Sequence, residues 1–170
     1  MRHLIEVKAR YRDLNKAREI LKEYNAVFIG KFKQVDIYYR VRIGRLKLRI
    51  IDGSKARLIY YLRQDIKEPK ESKVLIYDVC GNYKVLDQIL RRVLGVLTIV
   101  PKIREIYNLM DVEIHLDFVE GLGSFIEFEK ETTAERINID KQLMNNLISI
   151  FSIKSDDLID VSYSDLMLKS

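Results

Sequence analysis

The chain has 170 residues, 48% of them hydrophobic, with a formal net charge of +5 and a pI of about 9.2. That length suits one domain, residues 1–170, and no run approaches the roughly 20 apolar residues of a membrane-spanning helix. The basic balance favours anionic ligands. No recognition helix, zinc-finger spacing or aromatic-basic RNA motif accompanies it, so nucleic acid is not the expected partner. Cys80 is the single cysteine, which excludes an intramolecular disulfide. No secretory leader is visible at Met1-Arg2-His3, and a cytoplasmic location is expected.

Period-two alternation dominates the chain, the mark of strands with two unlike faces. In residues 4–10, Glu6, Lys8 and Arg10 share one face, and Ile5, Val7 and Ala9 the other. Asp13 is placed to cap an amphipathic helix that runs to about Tyr24, with Leu14, Ala17, Leu21 and Tyr24 along one side. Residues 31–42 predict a strand. Gly44 allows a tight turn into residues 45–50, where Arg45, Lys47 and Arg49 oppose Leu46, Leu48 and Ile50. Asp52-Gly53 is a hairpin turn. Strands at 57–63 and 74–79 flank a charged loop, Lys67-Glu68-Pro69-Lys70-Glu71-Ser72. Residues 82–94 predict a helix with Leu86, Ile89, Leu90 and Val93 on one face and Gly95 as its stop. The strand pattern resumes over 96–110, with Pro101 indicating an edge or a bulge. Glu113, His115 and Asp117 alternate with Val112, Ile114, Leu116 and Phe118. After a turn at Gly121 and Gly123, Glu127 and Glu129 alternate with Ile126 and Phe128. From about Asn138 the chain reads as two helices. About eight strands, mostly antiparallel, can close into a barrel with room for one small ligand. The expected fold is therefore α+β: an eight-stranded antiparallel β-barrel with helices packed outside.

The polar faces carry the chemistry. The bases are Lys8, Lys47, Arg49, Arg63, Lys102 and Arg104, and the acids are Glu6, Asp117, Glu127 and Glu129. A half-buried antiparallel sheet ordinarily turns such a face to water. Here the signs segregate by strand, and the amphipathic helices need an apolar surface to cover. If they cover the outside, the charged face lines the interior, which is costly unless it is wet, paired or filled by a metal. The bases outnumber the acids by two. A divalent cation adds two more charges, against roughly four negative charges on a triphosphate. Carboxylate oxygens suit a hard cation such as Mg2+ or Mn2+. The arginines can grip phosphate oxygens in a fork, and the lysines act as point charges. Asp36 reads as a group that orients a base, and His115 as a hydrogen-bonding histidine near the mouth of the barrel.

Several segments together resemble the CYTH domains of the triphosphate tunnel superfamily. They are Glu6-Val7-Lys8, Arg45-Leu46-Lys47-Leu48-Arg49, Tyr60-Tyr61-Leu62-Arg63, Lys102-Ile103-Arg104, His115-Leu116-Asp117, Val119-Glu120-Gly121-Leu122-Gly123 and Phe125-Ile126-Glu127-Phe128-Glu129, with Ser162-Tyr163-Ser164-Asp165-Leu166 near the end. The resemblance implies that the six bases hold a triphosphate and that Glu6, Asp117, Glu127 and Glu129 hold the metal. It implies a triphosphate-bearing small molecule as ligand: ATP, thiamine triphosphate or inorganic triphosphate. Hydrolysis is the expected reaction. The alternatives are cyclisation of ATP, as in class IV adenylate cyclases, and binding without turnover. Leu4 departs from the pattern, since it stands where the family's Glu-x-Glu-x-Lys places its first glutamate.

Overall fold

The computed structural model describes residues 1–169. Its elements run β1 (Arg2–Arg10), α1 (Leu14–Glu23), β2 (Val27–Tyr39), β3 (Arg45–Ile51), β4 (Lys55–Arg63), β5 (Lys70–Asp78), α2 (Tyr83–Leu94), β6 (Val96–Leu109), β7 (Val112–Val119), β8 (Gly123–Glu131), α3 (Ile137–Ile150), β9 (Leu158–Ile159) and α4 (Tyr163–Lys169). The strand order is β5-β4-β3-β2-β6-β7-β8-β1, and β5 pairs back onto β1 from Arg2–Val74 to Glu6–Lys70. The sheet is thus a closed, antiparallel, eight-stranded barrel. The short β9 adds to β1 beyond β5, with Lys8 opposite Ile159.

The alternation seen in the sequence decides which residues face outward. Ile5, Val7, Ala9, Ile114, Leu116, Ile126 and Phe128 form the outer face of β1, β7 and β8. They pack against Ala17 and Leu21 of α1 and Met144 and Leu147 of α3. Asp13 caps α1 by accepting from the Asn15 and Lys16 amides. Asn82 caps α2 by accepting from the Lys84 amide. On the far side α2 covers Ile37, Tyr39, Leu48 and Ala56. With apolar side chains outside, the alternate residues must point into the barrel. The fourth helix, α4, lies across the end that carries the β2–β3 and β7–β8 turns. There Asp165 meets Arg45, and Met167 lies beside Gly121.

Four local expectations change. The second strand runs over Val27–Tyr39 rather than 31–42, because residues 40–44 form the turn, with Gly44 at φ 73°. The loop assigned to 67–72 ends early, since Lys70 and Ser72 are buried residues of β5. The packing face of α2 is Tyr83, Leu86, Leu90 and Leu94, whereas Ile89 and Val93 are 53% and 73% exposed. Between the two terminal helices the chain forms the two-residue β9, too short for periodicity to register. Pro101 sits where an edge residue can. Its carbonyl accepts from Glu120, and the β6–β7 ladder begins only at Lys102–Val119. The ring nitrogen shares that side and faces past the end of β7.

Candidate functional site

Glu6, Lys8, Lys47, Arg49, Arg63, Arg104, Glu127 and Glu129 line one cavity inside the barrel. Lys102 and Asp117 lie beneath its wall with fully buried side chains. The ten charged residues picked from the sequence therefore converge on one interior, although they come from β1, β3, β4, β6, β7 and β8.

They sort into three groups. The first surrounds Asp36, which is wholly buried on β2. Arg49 grips it in a fork, with Nε donating to Oδ1 at 2.7 Å and Nη2 to Oδ2 at 2.8 Å. The Lys102 and Lys47 ammonium groups donate to Oδ2 at 2.7 and 3.1 Å. Burial opposes the charged form of Asp36, but Arg49, Lys102 and Lys47 outweigh it and hold the carboxyl well below its usual range. Asp36 thus orients three bases.

The second group is acidic and centres on Glu127. Arg104 donates in a fork to Asp117, Nε–Oδ1 at 2.7 Å and Nη2–Oδ2 at 2.6 Å, and reaches Glu127 Oε2 at 2.7 Å. Lys8 Nζ lies 3.0 Å from Glu127 Oε1 and 3.9 Å above the Tyr163 ring. The Tyr163 hydroxyl donates to Asp117 Oδ2 at 2.7 Å, so both Asp117 oxygens are taken. Burial and the Asp117 charge push the Tyr163 phenol far up, which keeps it a neutral donor. His115 lies between Glu127 (Nδ1, 3.3 Å) and Glu113 (Nε2, 3.1 Å). Burial and Arg104 lower its pKa, but these two carboxylates outweigh them and raise it. One ligand atom from each of His115, Glu127 and Glu129 falls within 4.8 Å of the others. Burial raises the Glu129 pKa, opposed by His115 and reinforced by Glu127 and Glu6.

In the third group, Arg63 Nη1 donates to Glu6; Arg63 Nε, 4.0 Å from Asp65 Oδ1, Arg63 Nη2 and the Ser72 hydroxyl are buried without a hydrogen-bond partner among the described residues. Arg63 and Ser72 are cross-strand neighbours on β4 and β5. Ser72 was not among the expected site residues, because the charges around it read as a loop. The alternation of Lys70, Ser72 and Val74 with Glu71, Lys73 and Leu75 was the available signal. Tyr163 and Ser162 also line the cavity. They lie far along the chain from the other lining residues, and only the resemblance of 162–166 pointed to them.

A closed barrel with a charged interior and helices outside is the architecture the sequence resemblance implied. Residues 2–163 match the CYTH domain, and the chain belongs to that family. A Methanocaldococcus jannaschii protein named "Putative adenylate cyclase MJ0240" is 32% identical over 171 residues, covering 95% of this chain and 97% of its own. Among solved structures, the PH1012 protein of Pyrococcus horikoshii OT3 is 25% identical, with a TM-score of 0.84 over 96% of this chain and 98% of that one. The Hippeastrum protein HpAC1 shares the fold at 15% identity, with a TM-score of 0.64 over 99% of this chain and 94% of that one.

Proposed function

We propose that the protein is a metal-dependent enzyme that binds a triphosphate inside the barrel and hydrolyses it. The observation that carries this reading is that two Arg63 nitrogens and the Ser72 hydroxyl have no hydrogen-bond acceptor among the described residues, buried on a cavity that Lys8, Lys47, Arg49 and Arg104 also line. A buried polar group without a partner costs about 1–3 kcal/mol, and phosphate oxygens are the acceptors that would relieve that cost. Arg49 and Arg104 present guanidinium groups already oriented by Asp36 and Asp117, so little reorganisation is needed when an anion enters. Lys8 and Lys47 add point charges. Lys102, under the wall, holds Asp36 in place.

The residues present fit a divalent ion. Glu127 and Glu129, with Glu6 on the same cavity, offer carboxylate oxygens, and an oxygen of each of the first two lies within 4.8 Å of the other and of a His115 ring nitrogen. Such oxygens suit Mg2+ or Mn2+. Asp117, forked by Arg104 and bonded by the Tyr163 hydroxyl, acts here as the orienting partner of Arg104, whereas Glu127, held by Lys8, Arg104 and His115, would share its oxygens with the ion. An ion at this site would supply charge neutralisation on the phosphate oxygens. The chain's own groups do the rest. Arg104, Lys8 and Arg49 stabilise charge on the transferring phosphoryl group, and the barrel wall excludes bulk water and strengthens each contact.

A second reading, cyclisation of ATP, is favoured by the name of the Methanocaldococcus jannaschii relative. In that reaction the ribose 3′-oxygen attacks the α-phosphorus. The Hippeastrum protein, described as a putative adenylyl cyclase with a dominant triphosphatase activity, shows that one such barrel can be linked with both. Product analysis separates the readings. ATP, thiamine triphosphate and inorganic triphosphate are each incubated with the protein under Mg2+ and Mn2+. Free phosphate supports hydrolysis, cyclic AMP with pyrophosphate supports cyclisation, and saturable binding without product rejects both.

A further inference from the structure

One sector of the cavity wall carries no charge. Ile59 and Ile76 are cross-strand partners on β4 and β5, and so are Tyr61 and Val74. Leu4 follows on β1, opposite Ser72. All five side chains line the same cavity as the bases. Leu4, Ile59, Tyr61 and Val74 are each less than 9% exposed, whereas Ile76 is 39% exposed. The patch therefore runs from the rim of the barrel inward, until it meets the Arg63 and Ser72 donors that make no hydrogen bond among the described residues. The remaining cavity wall is dominated by charge.

We infer that this wall selects a triphosphate joined to an organic body over inorganic triphosphate. The inference rests on the triphosphate reading above and names the substrate class within it. An inorganic triphosphate is charged along its whole length. Pressed against Leu4, Ile59 and Val74, its oxygens would lose water and gain no donor. An organic body in the same place buries apolar surface on both sides and leaves the charged end to the guanidinium and ammonium groups. Burial of roughly 60 Å2 of apolar surface corresponds to about a tenfold gain in affinity. Leu4 then has a positive role: a glutamate there would break the apolar run at its inner end, beside Arg63.

The test is calorimetric titration of the full chain with ATP, thiamine triphosphate and inorganic triphosphate, at fixed Mg2+ and ionic strength. Wild type and the double variant Val74→Thr, Ile76→Thr are compared; the first substitution keeps the side-chain shape, and circular dichroism checks the fold. At least one organic triphosphate should bind about tenfold or more tightly than the inorganic one. The double variant should lose most of that ratio, with inorganic triphosphate affinity unchanged. Equal or tighter binding of inorganic triphosphate by wild type would overturn the inference and leave the triphosphate reading intact. So would a variant that weakens all three ligands equally. Failure of all three to bind wild type would overturn both.

Discussion

Asp36 shows how much one buried carboxylate organises. It holds Arg49, Lys47 and Lys102 in one cluster, and Asp36→Asn leaves three cations without their counter-charge. Denaturant unfolding at neutral pH should show a loss of about 3–5 kcal/mol. Because the folded carboxyl is held below the usual carboxylate range, its contribution is complete above the unfolded value, at about pH 4. It is lost only as the pH falls from there towards the folded value. Wild type should therefore lose stability in that acid window more steeply than Asp36→Asn, and parallel acid slopes would contradict the assignment. The proposed division between bases and acids predicts two unlike defects. Arg49→Ala should weaken triphosphate binding by about 1.5–3 kcal/mol, the loss of a charge-assisted hydrogen bond from the guanidinium that Asp36 orients. Glu129→Gln should instead raise the metal concentration needed for half-maximal binding, and a variant that titrates metal like wild type would remove Glu129 from the metal site. These inward residues were legible because alternation fixes parity once one face is known to be apolar. Ser72 and Lys70 were not, since a polar residue in a charged stretch looks the same whether it points to water or to a buried partner.

At the scale of elements, the weakest signal belonged to the strand that extends β1 beyond its pairing with β5. The strand β9 is two residues long, and what secures it is a lysine on β5. The Lys70 ammonium, almost fully buried, donates to the carbonyls of Ile66, Ile159 and Asp160 at 2.7, 3.3 and 2.8 Å. Burial, with Arg63 nearby, pulls its pKa down to about 8. Lys70→Met removes all three hydrogen bonds and should cost about 2–3 kcal/mol. Amide exchange is the discriminating measurement. Protection should fall around residues 158–163 and persist in the β1–β8 ladder, whereas a uniform fall would show that Lys70 supports the barrel as a whole. The helices were easier to read, because Asp13 and Asn82 announce their starts. The face α2 presents was misjudged because Leu86 and Leu90 belong to either of two neighbouring stripes. Tyr83 and Leu94, not Ile89 and Val93, complete the one that packs.

For the molecule as a whole, ligand binding should appear as stability. A triphosphate with its metal, present at 100 times its dissociation constant, adds about 2.7 kcal/mol to the folded state. For a chain of this size that corresponds to a rise in melting temperature of roughly 5–10 °C. A chelator should withdraw part of the shift, and no shift at saturating ligand would count against a site inside the barrel. The closure that creates this interior was not written in any one segment. Eight alternating segments and helices in need of an apolar surface implied a barrel, but the β1–β5 seam depends on pairing across the chain. That seam has a consequence for synthesis. The first strand leaves the ribosome early, yet its partners β5, β8 and β9 follow much later, and β8 ends only at Glu131. At about 5–20 residues per second, β1 waits roughly 6–24 s for β8 to be made. Through that interval its β8 edge is open to foreign strands, even after β5 is available to cover the other, so the nascent chain is exposed to misassociation along β1.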